Sequence, residues 1–436
     1  MRRISIFILL ISFAAGGFAP LQAQPAPTSG REPARSEWRG YPSQAETTAA
    51  GVGDHRYLHN LTAWTQKEGN FSTSFTVPFD WANRQVVVHL DSATAAYEVL
   101  VNGRPVAQNA DPCIPAEFNV TKSVHEGRNT LEIKLRPAEE TAPLESWRTD
   151  SQPAVGNAWI ASRPTLHIRD VLTHTQLNGN RGATADIGLV VKTQSLNPRT
   201  SRIHYELLAP NGERIAGGMQ SVTLEMRGED TLHFLATVPD SLLWSPEHPV
   251  QCTLQLETQH EGRYVEYAEL PLGFRAIATD KAGQLRLNGL ETTLLSCEAL
   301  PDITRQEIIA LREKGFNTLR LKAGTVRPGL YADCDRAGML VVAQAPVDTS
   351  KSGPSRKLEG NPSNDPRWRT YFIERIEDAY HAAKRHPSVI AFGLAENSAN
   401  GICLYESYLS AKRFGDEHPF IYPDGGNEWN NDALKQ

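Results

Sequence analysis

The run Ser-Val-Ile-Ala-Phe at residues 388–392 is short, apolar and rich in β-branched residues. Such a run is typical of a strand buried on both faces. Residues 365–385, just before it, place apolar side chains at helical spacing, and residues 339–343 form a second apolar run. Because strand and helix alternate along this part of the chain, the sequence predicts a parallel sheet with covering helices.

The same alternation extends over residues 276–436. Further helices are predicted at residues 304–314, 329–337 and 404–414, and further strands near 293–296 and at 317–321 and 420–422. This makes about five strand–helix units, whereas a closed barrel of this type needs eight. The sequence therefore predicts an incomplete (β/α) TIM-type barrel.

The front of the chain has a different pattern. Residues 24–164 begin with a lead-in rich in Pro, Ser, Gly and Ala and continue as short alternating runs separated by turn residues, which is typical of a galactose-binding-like jelly roll. Residues 165–275 repeat the pattern with about seven strands, as expected for an immunoglobulin-like β-sandwich.

The first 23 residues are predicted to be a secretory signal peptide. Arg2 and Arg3 precede an apolar run at residues 4–15, and Ala23 offers a small residue at a cleavage site. The apolar run is shorter than the roughly 20 residues needed to span a bilayer, and no later stretch is apolar enough. The sequence therefore predicts an exported protein, either periplasmic or extracellular and at the cell surface, without a membrane span.

Composition excludes several classes of function. The 436 residues carry a formal net charge of −6 and no block of like charges, which argues against nucleic-acid binding. The five cysteines are widely spaced and form no Cys-x-x-Cys pair, so no metal site is predicted. No cofactor motif is present either, and none is expected.

Several motifs resemble family 2 glycoside hydrolases, the β-galactosidase and β-glucuronidase group. Val-Pro-Phe-Asp-Trp at 77–81, Val-Asn-Gly-Arg-Pro at 101–105 and Glu-Gly-Arg-Asn-Thr-Leu at 126–131 resemble its sugar-binding jelly roll. Later landmarks follow in the family's order: Leu-Trp-Ser-Pro-Glu-His-Pro at 243–249, Gly-Phe-Arg at 273–275, Leu-Asn-Gly at 287–289 and His-Pro-Ser-Val-Ile at 386–390. The resemblance implies the same three-module architecture and an ancestry in retaining β-glycosidases.

The position of the family's general acid/base is altered. The family places a Glu directly after an Asn at the end of a barrel strand, whereas here Glu396 precedes Asn397. Asn397 thus occupies the acid/base position, and an amide has no proton to give at neutral pH. Glu396 remains as a candidate catalytic carboxylate, although neighbouring side chains at a strand end point to opposite sides.

The family's nucleophile is expected on a later strand, and Glu406, Glu417 and Glu428 do not stand in a matching context. Retaining hydrolysis needs two carboxyl groups about 5–5.5 Å apart. Residues 320–325 also lack the family's histidine, and residues 342–346 lack its two carboxylates. The resemblance therefore implies a relative that has lost the family's catalytic pair.

Glu145 and Trp147 are the candidate carbohydrate-binding residues. They match an acidic residue two positions before a Trp at the end of the family's jelly roll, which implies a hydroxyl acceptor and a sugar platform. The alternative is that Trp147 packs between modules.

Two functions stay open on the sequence. The first is a non-catalytic protein that binds carbohydrate or acts as a scaffold. The second is a β-glycosidase, hydrolysing O-glycosyl bonds with shifted residues or with a complementing chain. Because five strands leave free sheet edges and an uncovered inner face, a protein partner or a homo-oligomer is also expected, unless the final residues or the β modules cover them.

Overall fold

The structure is a computed structural model, and its description covers most of the chain after residue 33. The described residues are 34–35, 38–46, 53–137, 140–148, 152–179, 182–300, 302–352, 360–422, 424 and 431–435. The predicted signal peptide lies outside them. A short strand, β1 (Gly40–Tyr41), leads into three modules.

The first module is a sandwich of two antiparallel sheets. One sheet has the order β3-β4-β9-β6-β7 and the other β2-β10-β5-β8. Its strands are β2 (Leu58–Asn60), β3 (Thr65–Lys67), β4 (Asn70–Val77), β5 (Gln85–Leu90), β6 (Tyr97–Val101), β7 (Arg104–Asn109), β8 (Ala116–Asn119), β9 (Gly127–Leu135) and β10 (Ala158–Arg163). Alternation along β4 buries Phe71, Phe75 and Val77 in the space between the sheets, which gives this module its own core.

The second module is a seven-stranded antiparallel sandwich that β1 joins at one edge. Its sheets have the orders β11-β12-β15 and β1-β17-β16-β13-β14. The strands are β11 (Leu166–Leu177), β12 (Ala183–Thr193), β13 (Arg199–Leu208), β14 (Arg214–Leu224), β15 (Glu229–Val238), β16 (Cys252–His260) and β17 (Arg263–Leu272). Three strands facing four is the constant-type immunoglobulin arrangement.

The third module is an open parallel sheet with helices against one face. A three-stranded antiparallel sheet precedes it: β18 (Ile277–Thr279), β19 (Leu285–Leu287) and β20 (Leu290–Glu291). The parallel strands follow in sequential order: β21 (Ser296–Glu298), β22 (Thr318–Arg320), β23 (Leu340–Gln344), β24 (Val389–Gly393) and β25 (Phe420–Ile421). The helices are α1 (Arg305–Glu313), α2 (Leu330–Ala337), α3 (Arg369–Ala383) and α4 (Ile402–Lys412). The predicted fold class, with its incomplete barrel, is confirmed.

Local sequence explains where the helices begin. Thr304 caps α1, since its hydroxyl accepts from the Glu307 amide while the Glu307 carboxylate accepts from the Thr304 amide. Helix α3 begins at Arg369, four residues later than the sequence predicts. Pro366 fixes a short 3₁₀ turn there, Pro366–Trp368, capped by the side chain of Asp365.

The inner face of the parallel sheet is partly covered from within. Leu340, Val342 and Ile390 face a cluster that includes Leu285 and Leu287 of the small antiparallel sheet. Leu434 packs against the same cluster, and the Lys435 amide donates to the Gly283 carbonyl at 2.7 Å. The small antiparallel sheet and residues 431–435 therefore bury apolar side chains that an open barrel would otherwise expose.

Asp432 caps the outer edge of the sheet at β25. The backbone N–H of Phe420 donates to Asp432 Oδ2 at 2.9 Å, and the Asp432 N–H donates to the Phe420 carbonyl at 2.7 Å. Tyr408 and Lys412 of α4 hold the same carboxylate at 2.8 and 3.0 Å. Edge groups that would template another strand are thus occupied. The expectation of a partner chain or second copy stays a prediction.

Candidate functional site

The candidate site lies where the parallel strands end, at the edge where such sheets place their ligands. Glu298 is the last residue of β21, and Lys322 follows β22 by two residues. Asp348 and Glu396 follow β23 and β24, and their backbones run side by side in an isolated parallel bridge. Four loops therefore bring charged side chains to one edge of the sheet.

Glu396 is fixed by its neighbours on both sides. Its carboxylate Oε2 accepts from the Ala323 N–H at 2.9 Å, and its own N–H donates to the Val347 carbonyl at 2.8 Å. Burial raises the pKa of Glu396, with further increases from Asp348 and Asp424, against the lowering effect of the Ala323 N–H and of Lys322. A carboxyl group with a raised pKa is suited to proton donation.

Asn397 stands next to it with an unusual backbone. Its φ is 45°, in the left-handed region that Asn tolerates better than most residues. Its N–H donates to Asp424 Oδ2 at 2.6 Å, and its side-chain amide donates to Asp348 Oδ2 at 3.4 Å. The exposed Asn397 thus presents an amide turned towards Asp348, at the position where the resemblance predicts an acid/base residue.

Lys322 supplies the positive charge at the edge. Its Nζ lies 2.9 Å from Glu298 Oε2, and both side chains are substantially exposed. The hydrogen bond that Lys322 donates to Glu298 raises the pKa of Lys322. Partial burial lowers this pKa, whereas the negative charges of Glu298, Glu396 and Asp348 raise it further. With Asp348, Glu396 and Asp424 nearby, acidic groups outnumber basic ones at this edge.

The jelly roll contributes Trp147 to the same edge. The indole packs so closely on Gly324 that a Cβ there would lie 2.0 Å from Trp147 Nε1, and Gly324 has a φ of +77°. Gly324 directly follows Ala323, the residue that donates to Glu396. Trp147 is half-buried. It therefore combines an interdomain contact with a position beside the candidate site.

Glu145 lies two residues away in a different environment. It is buried, and its carboxylate meets Arg375 at 2.5 Å and Arg148 at 2.6 Å. Arg375, fully buried on α3, also donates to the carbonyls of Pro346 and Ala110. Glu145 thus ties the jelly roll to the barrel, and its role in binding carbohydrate stays a prediction.

Gln344, which replaces a carboxylate expected from the resemblance, lies beneath the carboxyl-end edge of the parallel sheet. Gln344 ends β23 where the resemblance implies a carboxylate, and its side chain is buried against Gly393. Its amide donates to the Ala345 carbonyl at 3.2 Å. Gln344 is therefore a neutral packing residue below the charged groups.

Sequence reasoning missed Asp348 and Asp424. Asp348 lies four residues beyond the apolar strand β23, so its place at a strand's carboxyl end was a signal available in the sequence. No sequence pattern indicated Asp424, because only folding brings it into contact with Asn397. Within the described ranges, no group of three or more His, Cys, Asp or Glu side chains is arranged to hold a metal ion.

Three family models match successive parts of the chain. The sugar-binding domain of glycosyl hydrolases family 2 matches residues 60–146, a second model named for the family matches 166–275, and its TIM barrel domain matches 300–433. The chain belongs to glycoside hydrolase family 2. The matches follow the order of the three observed modules.

Curated relatives include β-galactosidases of Aeromonas hydrophila subsp. hydrophila and Pectobacterium atrosepticum. They are 27% and 28% identical over 379 and 382 residues, which is 82% of this chain in both cases. The same alignments span 36% of each relative, so the chain covers about a third of their length.

Solved structures share the fold at lower identity. A family 2 member from Bacteroides cellulosilyticus superposes with a TM-score of 0.65 at 18% identity, over 80% of this chain and 49% of that one. The β-glucuronidase of Bacteroides uniformis gives 0.62 at 19% identity, over 82% and 46%.

Proposed function

We propose that this family 2 chain binds a glycan at the edge formed by Trp147, Lys322 and Glu396 without hydrolysing it. The jelly roll and the parallel sheet both contribute to this edge. Charged groups and an aromatic ring lie side by side there, which suits a ligand carrying hydroxyls on an apolar ring. A scaffolding role for the same surface is compatible with this proposal.

The observation that carries the proposal is the fixed geometry of Glu396 and Asn397. The Glu396 carboxylate is held by Ala323, while the next side chain, at the acid/base position, is an amide that donates to Asp348. An amide that already donates to a carboxylate has no role in protonating a leaving group. The site thus retains polar groups for binding and lacks the family's acid.

The test combines turnover with binding. Purified protein is assayed with nitrophenyl β-galactoside and β-glucuronide, and its binding to immobilised β-linked glycans is measured in parallel. We expect no turnover above that of Glu396→Gln. We also expect glycan binding that weakens roughly tenfold in Trp147→Ala, because the ring's contact is lost.

Phe79→Ala is the matched control for Trp147→Ala. Phe79 is an exposed aromatic residue on the jelly roll, outside the candidate site, so its removal should leave glycan binding unchanged. Equal binding by the wild type and Trp147→Ala would contradict the proposal. Turnover by the wild type that Glu396→Gln abolishes would also contradict it.

A second candidate, a β-glycosidase, is favoured by one observation. The raised pKa of Glu396 suits a general acid, and the carboxylate of Asp348 acts on it from the adjacent loop. Under this alternative the same assay gives turnover that both Glu396→Gln and Asp348→Asn abolish. Turnover that survives Asp348→Asn would remove Asp348 as the second carboxyl group.

We further propose that the protein acts after export. The support is the charged, apolar and small-residue pattern of residues 1–23. Among the described residues, no helix is both long and apolar enough to cross a membrane. Finding the 1–23 segment removed from protein recovered outside the cytoplasm would support export, and full-length protein confined to the cytoplasm would contradict it.

A further inference from the structure

Lys384 and Asp170 form a buried contact between the second and third modules. Lys384 directly follows α3, and Asp170 lies on β11 of the immunoglobulin-like module. Lys384 Nζ donates to Asp170 Oδ2, and each of the two side chains is 3% exposed. By contrast, the side chains of the pair Lys322–Glu298 are substantially exposed. An amine and a carboxyl group are thus held together at Lys384 where water has little access.

The backbone of β11 fixes the direction of the Asp170 side chain. The register of β11 against β12 shifts between Ile168 and Asp170, and a shift of this kind re-aims the side chains of a strand. The other carboxylate oxygen, Asp170 Oδ1, accepts from the Val171 N–H at 2.9 Å. One oxygen of Asp170 therefore faces the Lys384 amine, while a backbone donor holds the second.

His381 is the third member of this cluster. It lies one turn before Lys384, near the end of α3, and its Nδ1 is 3.0 Å from Lys384 Nζ. Because an ammonium group has donors and no acceptor, the imidazole nitrogen accepts in this contact. His381 is therefore placed to take a proton from Nζ.

The charges of the cluster oppose each other. Burial lowers the pKa of Lys384 against the effect of Asp170, and the guanidinium groups of Arg169 and Arg385 lower it further. Burial raises the pKa of Asp170, but its cationic neighbours, Lys384 foremost, hold that pKa below its usual value. The pair therefore rests mainly as ammonium and carboxylate, and its minor neutral form is the reactive one.

We propose that Lys384 and Asp170 condense to an amide that covalently joins the immunoglobulin-like module to the third module. The Nζ lone pair attacks Asp170 Cγ, the bond from Cγ to Oδ2 breaks, and that oxygen leaves with two protons as water. The ammonium and the carboxylate together contain every atom of the amide and of the water, so no oxidant or other reactant is needed. The cross-link does not depend on glycan binding.

The surrounding groups assist each stage of this reaction. His381 takes a proton from Nζ before the attack and returns it to the departing oxygen. The Val171 N–H stabilises the negative charge that develops on Oδ1. Fixed positioning removes the entropic cost that the same condensation has between free molecules. The amide product is neutral, which relieves the cost of keeping two charges away from water.

Mass spectrometry of the intact, full-length chain tests the cross-link. We expect most wild-type molecules to be lighter, by the mass of one water, than their sequence requires. Lys384→Arg is the matched variant, because it keeps a cation beside Asp170 but its guanidinium stays protonated and does not attack. Water lost elsewhere in the chain would appear in both proteins and is thereby subtracted. Protease digestion of the wild type should release a branched peptide that joins residues 170 and 384.

Two further variants assign the atoms of the reaction. Asp170→Asn should cross-link with loss of ammonia in place of water, because the leaving atom is then nitrogen. His381→Gln should enlarge the fraction that is not cross-linked, because the base beside Nζ is gone. Lys322→Arg, in the exposed pair, should leave the loss of water unchanged. Thermal unfolding verifies that each variant is folded.

The opposite results are equally clear. A wild type that shows no loss of water relative to Lys384→Arg, together with no branched peptide, would establish a plain ion pair and overturn the proposal. An unchanged cross-linked fraction in His381→Gln would contradict the proton transfer assigned to His381.

Discussion

Replacing Glu145 by alanine is expected to lower the free energy of unfolding by about 3–5 kcal/mol. The change leaves Arg375, which is fully buried, without its carboxylate partner, and Arg148 loses the same contact. An uncompensated buried charge destabilises the folded state by far more free energy than an ion pair at the surface contributes. Urea unfolding followed by tryptophan fluorescence measures the loss.

Glu140→Ala is the control for this prediction. Glu140 pairs with Arg136 in the same module, but both side chains are about one-third exposed, so the expected loss is below about 1 kcal/mol. A loss below about 1 kcal/mol in Glu145→Ala as well would refute the structural role. That result would favour the sugar-binding role that the sequence position of Glu145 predicts.

Lowering the pH is expected to remove the contribution of Glu117 to the free energy of unfolding, which is about 3 kcal/mol. Burial by itself raises the pKa of this carboxyl group, but Arg163 and His89 outweigh it and lower the pKa to about 2. A folded pKa below the unfolded value stabilises the protein above the unfolded pKa, near 4.5. That contribution is lost as pH falls from about 5 towards 2.

Glu117→Gln isolates this effect from other titrations. At neutral pH the variant should be less stable than the wild type, because Arg163, 2.5 Å from Glu117, loses its charged partner and the backbone N–H of Arg35 loses a charged acceptor. The difference in unfolding midpoint should narrow as the pH falls from about 5 towards 2. A difference that stays constant over this range would show that Glu117 does not titrate with a lowered pKa.

Much of the fold could be predicted from periodicity and turn residues. The apolar runs at β23 and β24 were recognisable because both faces of those strands are buried. Strand β14 gave a weaker signal, because Gly217 and Gly218 interrupt it and most of its side chains are at least partly exposed. Strand β14 forms by pairing along β13, and its own sequence pattern does not indicate this pairing.

The candidate site was less predictable than the fold. Glu396 and Asn397 could be located because the resemblance fixes their positions, but Asp348 acquires its role only when its loop lies beside that of Glu396. The Arg375–Glu145 pair joins residues 230 positions apart, and no local pattern links them. Contacts of this kind depend on how modules dock, which sequence periodicity does not encode.

Asp432 has a consequence for any polypeptide that would extend the sheet. An added strand would have to form its first hydrogen bonds with the outward N–H and carbonyl of Phe420. Asp432 already binds both of these groups. The added strand would also have to release the carboxylate from Tyr408 and Lys412. Extension at this edge therefore requires Asp432 to leave β25 first, so an added strand would compete with an existing contact of the chain.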